Sequence, residues 1–88
     1  MQITNNKPQL AEQVPWSEKL TDYDNAHFTT YMRLLDASAD SATDEEMALI
    51  ILGIDPAKEP DRASKTLHSH LDRANWIAST GYKELFAG

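Results

Sequence analysis

The sequence predicts an all-α fold, a small helical bundle preceded by a flexible N-terminal tail. Three stretches of the chain repeat apolar residues every three or four positions, the spacing that lines one side of an α-helix. No stretch rich in β-branched residues alternates strictly between apolar and polar residues, and the chain contains a single valine, so a β-sheet is not expected. At 88 residues, with 41% hydrophobic and 25% charged residues, the chain has the length and composition of one globular domain.

The first part of the chain, residues 1–19, is predicted to be the tail. It is polar, contains Pro8 and Pro15, and shows no sustained helical or strand period. Trp16 and Leu20 are expected to hold its last residues against the core, because a small domain gains stability by burying a large ring. The helical domain is therefore predicted to cover residues 20–88.

The first helix is predicted over residues 23–38. Thr21 or Asp22 can cap its start, since short polar side chains accept hydrogen bonds from the free amides of the first turn. Its buried side is expected to consist of four residues at positions i, i+3, i+4 and i+7: Phe28, Tyr31, Met32 and Leu35.

The second helix is predicted over residues 44–52. Thr43 and Glu46 fit a capping box, in which the Thr43 hydroxyl accepts from the Glu46 amide and the Glu46 carboxylate accepts from the Thr43 amide. Gly53 stands where many helices end in the left-handed conformation. The buried side is expected to comprise Met47, Ile50 and Ile51.

The third helix is predicted over residues 61–79, after a rather long connection at 54–60 that contains two prolines. Gly81 is its expected stop, and Tyr82, Leu85 and Phe86 suggest a closing helical turn or two. The apolar stripe of the third helix repeats at three or four residues: Ala63, Leu67, Leu71, Ala74 and Ala78.

The net charge of −6 is concentrated in one segment. Residues 34–57 contain six acidic residues and no Lys or Arg, whereas the other eight acidic residues are matched by the eight basic ones. This distribution predicts an acidic surface that repels phosphate backbones. Its expected members are Asp36, Asp40, Asp44, Glu45 and Glu46.

The chain is expected to be cytoplasmic and to have no membrane partner. Its longest apolar run, within residues 47–54, is far shorter than a bilayer span. Residues 1–6 show neither the basic cluster nor the apolar segment of a secretory signal.

The sequence offers no arrangement typical of catalysis, a cofactor or a metal. It contains no cysteine, and its serines stand at predicted caps, turns and an exposed helix position. His68 and His70 are two residues apart on the third helix, so they point to nearly opposite sides and cannot share a metal. We expect a non-enzymatic protein in which His70 faces the core and His68 lies near the opposite surface.

A short second helix, a turn and a longer third helix resemble a helix-turn-helix unit, so DNA binding is an alternative function. The face of the third helix that would enter a DNA groove is only weakly basic. It consists of Arg62, Lys65, Ser69, Asp72, Arg73 and Trp76. The acidic start of the second helix would approach the phosphates. The alternative function is therefore that of a small DNA-binding helix-turn-helix transcriptional regulator.

Large side chains outside the predicted buried stripes indicate a docking surface. Tyr23, His27 and Leu34 are expected on a shoulder of the first helix, and Leu49 lies opposite Met47, beside Glu45. The tail or the closing helix could instead cover these residues. Trp76 has the same two interpretations. The predicted partner contacts are Tyr23, His27, Leu34, Glu45, Leu49 and Trp76.

An ordered set of residues over positions 20–86 resembles the family named domain of unknown function 2285. The set comprises Leu-Thr-Asp-Tyr-Asp at 20–24, His27, Tyr31, Arg-Leu-Leu-Asp-Ala at 33–37, Leu-Gly-Ile-Asp-Pro at 52–56, His-Leu at 70–71, Arg-Ala at 73–74, Trp76 and Gly-Tyr at 81–82. The resemblance implies an extended-turn variant of the helix-turn-helix, in regulators carried on mobile genetic elements.

The resemblance also implies a function. A stand-alone, acidic copy of this domain is expected to be an antiactivator that binds an FseA-like activator of conjugative transfer through the activator's N-terminal domain. A LuxR-type quorum-sensing regulator is a second implied partner. Four residues that the chain shares with the family are expected to be fold or interface elements: Tyr23, His27, Leu34 and Trp76. The basic DNA contacts of the family are not carried over to this chain. The protein is expected to be a monomer.

Overall fold

The computed structural model describes residues 10–81, and the helices form an all-α bundle. Over this range no strand occurs, which confirms the predicted fold class. The elements are α1 (Asp22–Ala26), α2 (Phe28–Ala39), α3 (Asp44–Glu46), which continues as a π-helix (Met47–Leu52), and α4 (Pro60–Trp76), which continues as a second π-helical segment (Ile77–Gly81). No helix between residues 10 and 81 is both long and apolar enough to cross a bilayer.

The predicted first helix is split into α1 and α2 at His27. Thr21 caps α1 with a capping box: its hydroxyl accepts from the Asp24 amide, and the Asp24 carboxylate accepts from the Thr21 amide. His27 leaves the helical region, with φ −114° and ψ 17°. No proline or glycine marks this break, so the helical period alone could not predict it.

The buried side of α2 is shifted from the predicted stripe. Tyr31 and Leu34 are fully buried, whereas Phe28 and Met32 are 36% and 37% exposed. The prediction of Phe28 and Met32 as core residues is therefore wrong. The core accepts the polar ring of His27, one helical turn before Tyr31, and this rotates α2 away from its most apolar stripe.

The second helix begins as predicted and ends as predicted, but its middle is a π-helix. Thr43 and Glu46 form the expected capping box, and Gly53 has a left-handed φ of 72°. Between them, hydrogen bonds from residue i to i+5 change the angular spacing of the side chains. The buried residues are consequently Met47, Ala48 and Leu52, and the prediction that Ile50 is buried is wrong.

The connection from Gly53 to Glu59 is the long turn that the two prolines predict, and Pro60 occupies the first position of α4. The main core cluster lies where this helix crosses α2 and the π-helix. Its buried members are Leu34, Met47, Ala48, Leu52, Ile54, Ala63 and Leu67. A second cluster joins Tyr31, Ala74 and Ile77.

The end of α4 also departs from the predicted stripe. Ile77 is buried and Ala78 is exposed, because the widened turn from Ile77 to Gly81 changes the register of the last residues. The predicted turns at Tyr82, Leu85 and Phe86 lie outside the described residues.

Residues 10–19 form no helix, as predicted, but they pack against the bundle instead of extending from it. Leu10 contacts the main core, and Val14 is 7% exposed. The Val14 amide donates to the Ser69 hydroxyl at 2.6 Å. We call residues 10–19 the strap. The first half of the predicted tail, residues 1–9, lies outside the described residues.

Candidate docking groove

The candidate site is a groove between the start of the second helix and the start of α4. It has a volume of about 550 Å³ and is bounded on one side by α3 and the π-helix and on the other by the long turn and α4. Its apolar surface includes Leu49, Ile50, Ala57 and Pro60. Two predicted contacts, Glu45 and Leu49, line it together.

Leu49 and Ile50 give the groove its exposed apolar surface. They are 52% and 68% exposed, the two largest exposures among the large aliphatic side chains of the described residues. The π-helix explains why two consecutive large residues both avoid the core, since the neighbouring Ala48 and Leu52 occupy the buried positions. Burying apolar area of this kind on a partner is a usual source of binding energy.

Carboxylates surround this apolar surface. Asp44, Glu45, Glu46 and Asp55 line the groove, and no Lys or Arg of the described chain lines it. The Glu46 carboxylate is held in place by the Thr43 amide at 2.8 Å. The groove therefore combines exposed apolar side chains with a concentrated negative potential, which selects against anions.

Asp44 and Asp55 also have contacts within the chain. Asp44 Oδ2 lies 3.2 Å from Nε2 of His68, between two exposed side chains. Asp55 Oδ1 accepts from the Ala57 amide at 2.9 Å and thereby shapes the long turn. Glu45 is exposed and has no such structural role among these contacts.

The members of the predicted acidic surface do not all line the groove. Asp44, Glu45 and Glu46 line the groove, but Asp36 lines a separate shallow depression on α2 together with Met32 and Arg33. Asp40 is exposed at the C-cap of α2. The structure thus divides the acidic segment, and Asp55, which the prediction left out of the surface, joins the groove.

The predicted shoulder of Tyr23, His27 and Leu34 is not an exposed surface. Leu34 is fully buried in the main core, and His27 is 4% exposed with its ring 4.1 Å from that of Tyr23. The prediction that Leu34 and His27 are exposed is wrong, because both belong to the side of the first two helical segments that faces the core. Tyr23 is half-buried.

Tyr23 connects the strap to the core through a chain of hydrogen bonds. Its hydroxyl accepts from the Ala11 amide at 2.9 Å and lies 2.5 Å from Nε2 of His70. His70 Nδ1 lies 2.7 Å from the Thr66 carbonyl, which can only accept, so Nδ1 carries the proton and Nε2 accepts from Tyr23. Burial lowers the pKa of His70 and raises the pKa of Tyr23, so both are neutral at pH 7.

Arg73 lies in the interior and not on the DNA-facing side of the third helix where the sequence placed it. Its guanidinium is fully buried and donates to both carboxylate oxygens of Asp24, at 3.0 Å and 2.7 Å. It also donates to the carbonyls of Ser17 at 2.6 Å and Lys19 at 3.0 Å. A buried pair of this kind needs further hydrogen bonds to its donors, and the strap supplies two of the acceptors.

Trp76, another predicted contact, belongs to the same cluster and is partly buried. The Arg73 guanidinium carbon lies 4.2 Å from its ring centroid and 4.7 Å from that of Trp16, and the two indoles meet edge to face. Trp16 thus contacts α4, but it is 56% exposed, so the predicted burial of its ring against the core does not occur. Trp76 is a structural element of this contact.

The strap covers part of the face that α4 would offer to DNA, whereas Asp72 on that face stays exposed. Ser69 is engaged by Val14, Arg73 is buried, and Trp76 is packed under Trp16. Arg62 and Lys65 remain exposed near the start of α4, where Arg62 pairs with Glu59 at 3.1 Å. Of the six residues of the predicted recognition face, Arg73 is therefore buried, and Ser69 and Trp76 are partly covered.

Sequence reasoning missed Ile50 and Asp55 as groove residues and Asp24, Tyr31 and Arg73 as a buried polar cluster. Tyr31 donates to Asp24 at 2.9 Å, and burial together with that carboxylate raises the pKa of Tyr31. The only sequence signal for the cluster was Asp24 at the third helical position of a capping box. Among residues 10–81, no group of three His, Cys, Asp or Glu side chains is placed to hold a metal ion.

No family model matches the chain, and no curated protein matches it.

Proposed function

We propose that the protein is an antiactivator of transcription. It binds an FseA-like activator through the activator's N-terminal domain and prevents the activator from promoting horizontal transfer of an integrative and conjugative element. A LuxR-type quorum-sensing regulator is the second partner in this proposal, and the antiactivator acts as a cytoplasmic monomer. The resemblance of the sequence to stand-alone acidic members of the family, such as the antiactivator QseM, motivates it.

The observation that carries the proposal is the exposed pair Leu49 and Ile50 inside a carboxylate-lined groove. An apolar anchor surrounded by charge is the ordinary anatomy of a protein interface. The covered face of α4 and the net charge of −6 both disfavour a duplex as the target. They support protein recognition on a scaffold that resembles a DNA-binding unit.

The proposed mechanism is competition for a surface. A free copy of a helix-turn-helix domain can occupy the partner surface that a domain of the activator normally uses, without adding affinity for DNA. The carboxylates around the groove repel nucleic acid, and the exposed apolar side chains of the groove remain available to a protein partner.

A binding measurement on Leu49→Arg tests the proposal. Calorimetry with the N-terminal domain of the activator should show a loss of about thirtyfold or more in affinity, because truncating or charging an interface anchor costs about 2 kcal/mol. Met32→Arg is the matched control, since Met32 is an exposed apolar residue in the separate depression on α2. The control should bind within about threefold of the parent chain.

The DNA-binding alternative is tested in parallel. Titration with duplex oligonucleotides at physiological ionic strength should give only weak, non-selective binding. Tight, sequence-selective binding with a steep loss of affinity as salt rises would favour a DNA-binding regulator and refute the antiactivator. Normal activator binding by Leu49→Arg would show that the groove is not the interface.

A further inference from the structure

The chemistry of the groove indicates the kind of segment that fills it. Residues 10–81 contain no strand, so this part of the chain has no open strand edge on which an extended peptide could pair. The groove is bounded by helical segments and a turn whose apolar side chains face outward. An incoming helix satisfies its own backbone hydrogen bonds and needs only side-chain contacts from such a surface.

The charges of the groove indicate the polar face of that helix. Four carboxylates line the same groove as the exposed side chains of Leu49 and Ile50, and no cationic side chain of the described residues lies among them. A neutral or acidic helix would desolvate these carboxylates with no compensation. Lys or Arg side chains beside an apolar stripe would pair with them while the stripe covers Leu49 and Ile50.

We propose that the groove binds a cationic amphipathic α-helix of the activator, with an apolar stripe against Leu49 and Ile50 and Lys or Arg side chains against Asp44 and Glu45. That the helix comes from the activator rests on the proposed function. That the helix is cationic and amphipathic rests on the residues that line the groove. Association should then depend on salt, because the pairing charges lie at an accessible rim.

The test removes groove charge without removing the cap. Asp44→Asn with Glu45→Gln neutralises two carboxylates and leaves the Thr43–Glu46 capping box in place. Asp36→Asn with Asp40→Asn is the matched control, because it changes the net charge equally at exposed sites outside the groove. Circular dichroism establishes that both variants fold.

The groove variant should bind the N-terminal domain of the activator about tenfold more weakly than the parent chain at low salt, with a flatter dependence on salt concentration. The control variant should stay within about threefold. Equal losses in the two variants would mean that only net charge matters and would overturn the proposal. Unchanged affinity and unchanged salt dependence in the groove variant would also overturn it, although the antiactivator function would stand.

A second experiment tests the chemistry of the bound helix independently of the activator. The probes are two synthetic helical peptides with the same leucine stripe, one carrying lysines and the other glutamates at the remaining positions. The lysine peptide should bind the parent chain and lose binding to Leu49→Arg, and the glutamate peptide should not bind. If the activator fails to bind while the lysine peptide binds this way, the proposed function fails and the groove chemistry stands. Equal binding of both peptides would overturn the inference.

Discussion

The buried guanidinium of Arg73 allows one stability prediction to be developed quantitatively. Arg73→Met replaces the charge with an unbranched side chain that can still lie between the Trp16 and Trp76 rings. The replacement deletes four hydrogen bonds: two to Asp24 and one each to the carbonyls of Ser17 and Lys19. The Asp24 carboxylate, 1% exposed, is left without its counter-ion.

The size of the effect follows from that unpaired carboxylate. Breaking a buried ion pair by removing one partner costs about 3–5 kcal/mol, mostly as the penalty of the charge left behind. A domain of 88 residues has a free energy of unfolding of roughly 4–13 kcal/mol. Arg73→Met is therefore expected to remove a large part of the stability of the domain.

Urea unfolding followed by helical circular dichroism measures the effect. With a denaturant slope of about 1 kcal/mol/M, a loss of about 3–5 kcal/mol should lower the midpoint by about 3–5 M. Arg62→Met is the control, because its pair with Glu59 at i, i+3 is half-exposed and is worth at most about 0.5 kcal/mol. A loss below about 1 kcal/mol for Arg73→Met, close to that of the control, would refute the interpretation of Arg73 as the centre of the buried cluster.

Two further predictions concern the same interior. Burial alone would raise the pKa of Asp24, but the hydrogen bonds from Arg73, Thr21 and Tyr31 outweigh burial and lower the pKa. The ionised Asp24 therefore stabilises the folded state fully above its unfolded pKa of about 3.9. This stabilisation is lost as pH falls through the lower pKa of the folded state. The urea midpoint of the parent chain should drop on acidification below about pH 4, and Arg73→Met should show a smaller drop; equal drops would contradict this origin. Leu34→Ala should cost about 2–5 kcal/mol by thermal or urea unfolding, since it opens a cavity in the main core; a loss below 1 kcal/mol would contradict the burial of Leu34.

Features set by neighbouring residues were predictable from the sequence. The Thr43–Glu46 capping box and the left-handed Gly53 both occur where the sequence places them, because each depends on contacts within a few positions. The long turn before Pro60 followed in the same way from the restriction that proline imposes on its predecessor.

Features set by distant contacts or by a changed helical period were not predictable. Ile50 was placed in the core by a rotation of 100° per residue, which a π-helix does not follow. Leu34 was placed on the surface because the strongest apolar stripe of α2 is not the one that is buried. Arg73 gave no local signal, since charged residues are seldom fully buried and its partner Asp24 lies 49 positions earlier.

The candidate site was half visible in the sequence. Leu49 beside Glu45 was identified from its place opposite Met47, and both line the groove. The contribution of Ile50 and Asp55 required the conformation of the π-helix and of the long turn.

The long separation between Asp24 and Arg73 has a consequence for how the chain folds as it is synthesised. Translation delivers Asp24 and the strap first, and the guanidinium that neutralises the carboxylate and binds the strap carbonyls appears 49 residues later. In a nascent chain that ends before Arg73, the Asp24 carboxylate has no counter-ion, and the strap carbonyls lack the donor that holds them in the folded protein. Acquisition of the native state is therefore expected to be a late, all-or-none event that waits for the C-terminal third of the polypeptide to leave the ribosome.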